Sequence, residues 1–228
     1  MLTAIIVAGG SSRRMGFDKT FALLADRPVI AHSIGAFDAA ECVSEIVVVG
    51  REDRLEELRV LVRQNGFDKV RQVIRGGVHR QDSVRAGLNA LSDGCLYVAV
   101  HDAARPLVTP SQIAAVFAAA TRHGGASLAA PVSDTLKRAD NDGFACESLD
   151  RESVFAMQTP QIFSRGLLLS AYDQIARDNV SITDEVSALQ HLGRKVMLVP
   201  AGDVNLKITF PADLALAELV LARRRAGG

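Results

Sequence analysis

The sequence carries no excess charge of either sign: 26 lysines and arginines face 26 aspartates and glutamates. Without a global field, nothing draws in nucleic acid or an anionic membrane, so any positive potential must be local. Cysteine is scarce. Cys42, Cys95 and Cys146 are odd in number and lack metal-ligand spacing, which argues against a disulfide framework and for reduced thiols. No apolar run approaches membrane-spanning length, and the N-terminus enters an apolar stretch without the charged-then-apolar pattern of a signal peptide, so a cytoplasmic protein is expected. With no Pro/Ser-rich linker, internal repeat or low-complexity segment to divide it, the chain reads as one domain over residues 1–228. Aromatics amount to 5%, yet 48% of the residues are hydrophobic, enough for a large core in which alanine and leucine suit packed helices.

What is present is organised around the N-terminal stretch. Leu2 to Ala8 is apolar, β-branched and too continuous for a strand with one wet face, so it reads as the centre of a parallel sheet covered on both sides. The strand stops at Gly9-Gly10-Ser11-Ser12, where small residues let backbone approach a ligand and leave N–H groups to face anionic oxygens. Arg13, Arg14 and Lys19 follow, cations placed where a triphosphate needs charge neutralised as a bond to phosphorus breaks. This is neither the Lys-Ser/Thr-ended loop of P-loop ATPases nor the spaced glycines of a dinucleotide fold.

Strand and helix patterns then alternate: a helix over 29–40, a strand over 45–50, a helix over 53–64 and a strand over 70–74. Gly76 to Ser83 forms a second glycine-bearing strand exit that opens a helix to about Leu91. A fourth strand, 96–100, runs into His101-Asp102-Ala103-Ala104-Arg105-Pro106. Open α/β sheets bind ligands at the carboxyl ends of central strands, so Asp102 is a candidate Mg²⁺ ligand; the alternative is a cap of the following turn, paired with Arg105. A helix from Thr109-Pro110 to His123, ended by Gly124-Gly125, leads to a strand over 126–131. The rhythm breaks at 132–151, where Asn141-Asp142-Gly143 between extended segments signals a hairpin; such an arm is marginal alone and packs on a second subunit or back on its own domain. Thr159-Pro160-Gln161 is read as the approach to a helix near Ser164, and Thr183 as the N-cap of another helix with Asp184 and Glu185 in its first turn. After a strand over 195–200, Lys207 sits in an extended apolar stretch, where a lysine either snorkels to water or meets a buried anion; Pro211 opens the last helix. The five histidines do not cluster, His101 reads as a core residue, and no Ser/His/Asp or Cys/His order supports covalent catalysis.

Several strings together, A-G-G-S-S-R-R-M-G, G-G-x-x-R-Q-D-S-V, V-H-D-A-A-R-P, A-A-P-V-S-D-T-L-K, T-P-Q-I-F, T-D-E-V-S-A-L and N-L-K-I-T, resemble the 2-C-methyl-D-erythritol 4-phosphate cytidylyltransferase family of nucleotidyltransferases over essentially the whole chain. The resemblance implies a Rossmann-like α/β fold, a mostly parallel sheet flanked by helices with a projecting β-hairpin arm. It implies transfer of CMP from CTP to an alcohol phosphate, with Mg²⁺ or another divalent cation as cofactor. By motif, Arg14 and Lys19 would stabilise the transition state, and Ala8, Gly9, Gly10, Gly77, Ser83, Asp102 and Ala103 would line the CTP site. Arg105, Thr135, Arg151, Thr159 and Lys207 would hold the methylerythritol phosphate, with Arg151 and Lys207 aiming it. The arm at 132–151 would exchange with a partner in a homodimer. Ribitol 5-phosphate cytidylyltransferases share these motifs, and a nucleotide-binding regulatory protein that kept the fold is the reading from another class.

Overall fold

Residues 1–10 and 16–227 are described by the computed structural model; Arg14 lies outside the described residues. In chain order the elements are β1 (Leu2–Ala8), the short ribbon β2 (Leu23–Leu24) and β3 (Arg27–Pro28), α1 (Val29–Ala39), β4 (Val43–Gly50), α2 (Leu55–Asn65), β5 (Val70–Arg75), α3 (Arg80–Asn89) and β6 (Tyr97–Asp102). They continue with α4 (Pro110–His123), β7 (Gly125–Pro131), β8 (Leu136–Ala139), β9 (Ala145–Leu149), β10 (Phe155–Ser164), α5 (Arg165–Arg177), α6 (Glu185–His191), β11 (Met197–Pro200) and α7 (Pro211–Ala226).

The main sheet runs β11-β7-β10-β6-β1-β4-β5, and β1 pairs in parallel with both β4 and β6. Side chains alternate across the pleat, so a doubly covered strand must feed two cores. Ala4, Ile6 and Ala8 of β1 pack with Ile30, Ile34 and Phe37 on one face, whereas Ile5 and Val7 meet Val84 and Leu88 on the other. Helix α3 lies close on β1 because Gly87 has no side chain: a Cβ there would come within 2.6 Å of Ile5 Cγ2. The mostly parallel α/β sheet expected from sequence is what forms. The parallel strands β5, β4, β1 and β6 bring their carboxyl ends to one edge, where β1 gives way to Gly9 and Gly10 and β6 ends in Asp102.

The helix expected near Ser164 is α5, with Ser164 as its N-cap; the segment before it, Phe155–Ser164, is a ten-residue strand that the sequence reading does not anticipate, antiparallel to both β6 and β7. Pro160 obscures it, since proline cannot donate to a ladder; the chain accommodates it with a register irregularity between Met157 and Gln161 and a cis Thr159–Pro160 peptide. The N-cap of α6 is Asp184 rather than Thr183, with Asp184 Oδ1 accepting from Ser187 N at 2.9 Å.

Elsewhere local chemistry and structure agree. Thr109 caps α4 with Gln112 in a reciprocal box, and Gly124 ends that helix in the left-handed region at φ 81°. The 132–151 segment forms the hairpin β8–β9, paired Leu136↔Leu149 through Ala139↔Ala145 in a two-stranded sheet of its own. Its residues are almost all exposed, Phe144 at its tip included. A third apolar cluster, Leu24, Val29, Leu107, Ile208 and Ala217, seats α7 and the extended 206–209 segment against the body of the domain.

Candidate active site

Three strand exits and one extended segment converge at the carboxyl edge of the sheet. The glycines of the β5–α3 loop serve a close approach: a Cβ on Gly76 would lie 2.5 Å from Ser83 Oγ, and one on Gly77 2.2 Å from Asp82 Cβ. Ser83 Oγ, in turn, accepts from Gly77 N at 3.2 Å, tying the loop to the first turn of α3. The cleft above has a volume of about 390 Å³ and contains Ala8, Gly9, Gly10, Lys19, Gly77, Ser83, Asp102, Ala103 and Lys207, each anticipated as a nucleotide or catalytic residue. The N-terminus of α3 opens onto it, and helix N-termini favour anions.

A second cleft of about 350 Å³ adjoins the first and contains Arg105, Gln158, Thr159 and Gln161 with Thr183, Asp184, Val186, Ser187 and Gln190 of the α6 region. Arg80, Asp102 and Lys207 line both clefts and form the seam between them. Thr135 and Arg151, the other two residues anticipated for the acceptor, sit on the exposed arm and line neither; the Arg151 guanidinium donates to Ser133 O.

The seam is an ion network. Asp102 Oδ1 accepts from Arg80 Nε at 3.1 Å and Oδ2 from Lys207 Nζ at 2.6 Å, so the anion left open for Lys207 by the sequence is Asp102. Burial pushes the Asp102 carboxyl up, but Arg80 and Lys207 outweigh it and hold the group well below the usual carboxylate range. Arg105 is not its ion partner: its Nη atoms donate to the carbonyls of Asn205 (2.9 Å) and Met157 (3.2 Å), and burial lowers its pKa. Lys19 Nζ donates to Ile208 O at 3.2 Å, so the residue that follows Lys207 in the chain also holds the other anticipated lysine.

His101 is a supporting residue without solvent exposure. Arg105 O can only accept, so His101 Nε2 donates to it at 3.2 Å, and Nδ1 accepts from the Thr159 hydroxyl at 3.0 Å. Thr159 Oγ1 accepts from Asp102 N at 3.1 Å, completing a chain that a neutral imidazole satisfies. Burial pushes the His101 pKa down to about 3.

Sequence reasoning missed Arg80 and Glu185. Glu185 is fully buried and binds Arg80 through both oxygens, at 2.7 and 2.9 Å. A signal existed: Glu185, Ala188 and Leu189 share a helix face at i, i+3 and i+4, all without exposure, and an acid on an apolar stripe requires a partner. Among the described residues, no group of three or more His, Cys, Asp or Glu could hold a metal ion by itself.

The family described as "IspD: 2-C-methyl-D-erythritol 4-phosphate cytidylyltransferase" matches residues 2–223. A protein of Dehalococcoides mccartyi strain CBDB1 named 2-C-methyl-D-erythritol 4-phosphate cytidylyltransferase is 40% identical over 223 residues, 97% of this chain and 96% of its own length. A protein of the same name from Pelotomaculum thermopropionicum is 39% identical over 227 residues, covering 98% and 95%. Among solved structures, the 4-diphosphocytidyl-2C-methyl-D-erythritol synthase of Anaerococcus prevotii superposes with a TM-score of 0.87 at 26% identity over 98% of this chain and 96% of that one. The 2-C-methyl-D-erythritol 4-phosphate cytidylyltransferase of Thermus thermophilus gives 0.77 at 30% identity, with coverage of 96% and 98%.

Proposed function

The chain belongs to the 2-C-methyl-D-erythritol 4-phosphate cytidylyltransferase family, and from that membership we infer how its two clefts divide the reaction. The enzyme transfers CMP from CTP to 2-C-methyl-D-erythritol 4-phosphate, giving the CDP-alcohol and pyrophosphate in isoprenoid biosynthesis. We assign CTP to the cleft of Gly9, Gly10, Gly77 and Ser83, and the acceptor phosphate to the cleft of Arg105 and Thr159. The observation that carries this division is the seam: both clefts share Arg80, Asp102 and Lys207.

The chemistry follows from charge. A phosphate monoester has its second pKa near 6, so the attacking oxygen is already ionised at neutral pH and needs no general base. The obstacle is repulsion between the acceptor dianion and the triphosphate, which fixed cations reduce. Lys19 and Arg14 serve the donor phosphates and leaving pyrophosphate, while Lys207 and Arg151 aim the incoming phosphate in line. His101, neutral and engaged at both nitrogens, holds Arg105 directly and Asp102 through Thr159, and exchanges no proton.

A divalent cation fits this donor set. One hard carboxylate plus the phosphates of a nucleotide is the set Mg²⁺ commonly takes, and Asp102 supplies the carboxylate. Bound there, it would neutralise phosphate oxygens alongside Lys19. The exposed arm supports a homodimer in which Thr135 and Arg151 reach the partner's acceptor cleft, since both lie outside the clefts of their own chain. Three free cysteines and the use of CTP suit the cytoplasm.

Pyrophosphate release from CTP and Mg²⁺ tests the reading, with methylerythritol phosphate and ribitol 5-phosphate as rival acceptors. Release with the first is expected. Release with ribitol phosphate alone, or nucleotide binding without release, would overturn it.

A further inference from the structure

A carboxylate with no solvent exposure stands behind the seam. Glu185 lines neither cleft, yet its Oε1 accepts from Arg80 Nη1 (2.7 Å) and from the Tyr172 hydroxyl (3.0 Å), and its Oε2 from Arg80 Nη2 (2.9 Å). The remaining edge of the guanidinium, Nε, donates to Asp102 Oδ1 at 3.1 Å. Arg80 is therefore clamped in the bidentate geometry that fixes a planar cation in orientation as well as place. The clamp has its own support from β10, where Gln161 Oε1 accepts the backbone N–H groups of Glu185 (3.0 Å) and Val186 (3.1 Å).

A buried ion pair is a poor device for stability, because apolar residues of similar volume do as well or better. What apolar packing cannot do is direct Arg80. Released from Glu185, the two Nη groups would be free to turn onto Asp102, compete with Lys207 for its oxygens and redistribute the cations between the clefts.

We propose that Glu185 is a positioning residue for nucleotidyl transfer, holding the Arg80 guanidinium, and through it the Asp102 carboxylate, at the boundary between the nucleotide and acceptor clefts. The inference rests on the cleft assignment above.

The test is a double-mutant cycle on the full-length enzyme, reading pyrophosphate release with CTP, methylerythritol phosphate and Mg²⁺, together with thermal melts. Glu185→Gln is expected to lower kcat by about 10- to 100-fold, the size of effect a misplaced site group produces, with KM for CTP little changed. Arg80→Gln should lose at least as much, and the double variant no more than Arg80→Gln alone, because Glu185 acts through Arg80. Glu185→Asp, which keeps the charge, should recover part of the loss. A kcat unchanged by Glu185→Gln, or reduced by the same factor in the Arg80→Gln background, overturns the proposal. Parent-like kinetics in Arg80→Gln itself would overturn the proposal as well, whereas a parent enzyme that binds CTP without releasing pyrophosphate would instead overturn the assignment of the clefts. Should Glu185→Gln fail to fold, Tyr172→Phe carries the same cycle: a few-fold loss in the parent and none in the Arg80→Gln background supports the proposal, and equal factors overturn it.

Discussion

Lys207 Nζ lies 2.6 Å from Asp102 Oδ2, although 105 positions separate the two residues in the chain. The contact depends on Ile208 next door. Its side chain has no exposure, a burial that contributes about 2 kcal/mol, and its N–H donates to Ala104 O at 2.8 Å. An apolar anchor thus fixes the segment that delivers the lysine to the carboxyl end of β6.

The pair makes stability depend on acidity. The Asp102 pKa is lowered in the fold, so its contribution is present above the pKa of the unfolded chain, about 3.9, and is lost as pH falls through the lower folded value. Asp102→Asn should destabilise by about 3 kcal/mol at pH 7 by leaving Lys207 without its anion and Arg80 with Glu185 alone, and the gap to the parent should narrow below about pH 4. Urea titrations at pH 7, 5 and 3 measure it. The same variant should raise the Mg²⁺ concentration for half-maximal rate; an unchanged metal titration would leave Asp102 a purely structural anion.

Lys19→Ala and Arg14→Ala should each lower kcat by about 10²- to 10³-fold, the scale for removing one preorganised charge contact, with melting temperatures near the parent's. Near-normal turnover in both would end the assignment of this loop to phosphate chemistry.

His101 should remain neutral throughout the working range of the enzyme. Its pKa of about 3 lies below the 6.5 of an ordinary histidine, so between those values the unfolded chain binds the extra proton and the folded chain does not. Stability should fall on acidification across that window, by about 1.4 kcal/mol per pH unit at most. A His101 imidazole NMR signal, assigned by its loss in His101→Gln, that titrates between pH 6 and 7 in the folded enzyme would contradict this, as would a His101→Gln variant with unchanged acid sensitivity.

For the arm, mixing inactive Arg151→Ala and Lys19→Ala variants after dissociation and reassociation should restore activity, because some heterodimers then contain one site free of both lesions. If each arm serves its own chain, every site carries a lesion and the mixture stays as inactive as its parts.

Local chemistry determined much of this protein. The unbroken apolar run of Leu2–Ala8 demanded a doubly covered strand, Thr109 and Gly124 marked the ends of a helix, and Asn141-Asp142-Gly143 marked a hairpin, each because the reason lies within a few neighbouring residues. Motif strings carried the family. The tertiary structure decided the partners of charges and the fate of segments whose local signals conflict. Nothing near Lys207 in sequence names Asp102 as its anion, and nothing near Glu185 names Arg80, 105 positions away, because ion pairs form through space after the sheet has brought β6, α3 and α6 to one edge. Phe155–Ser164 became a central strand despite Pro160, since pairing on both sides with β6 and β7 outweighs one lost donor.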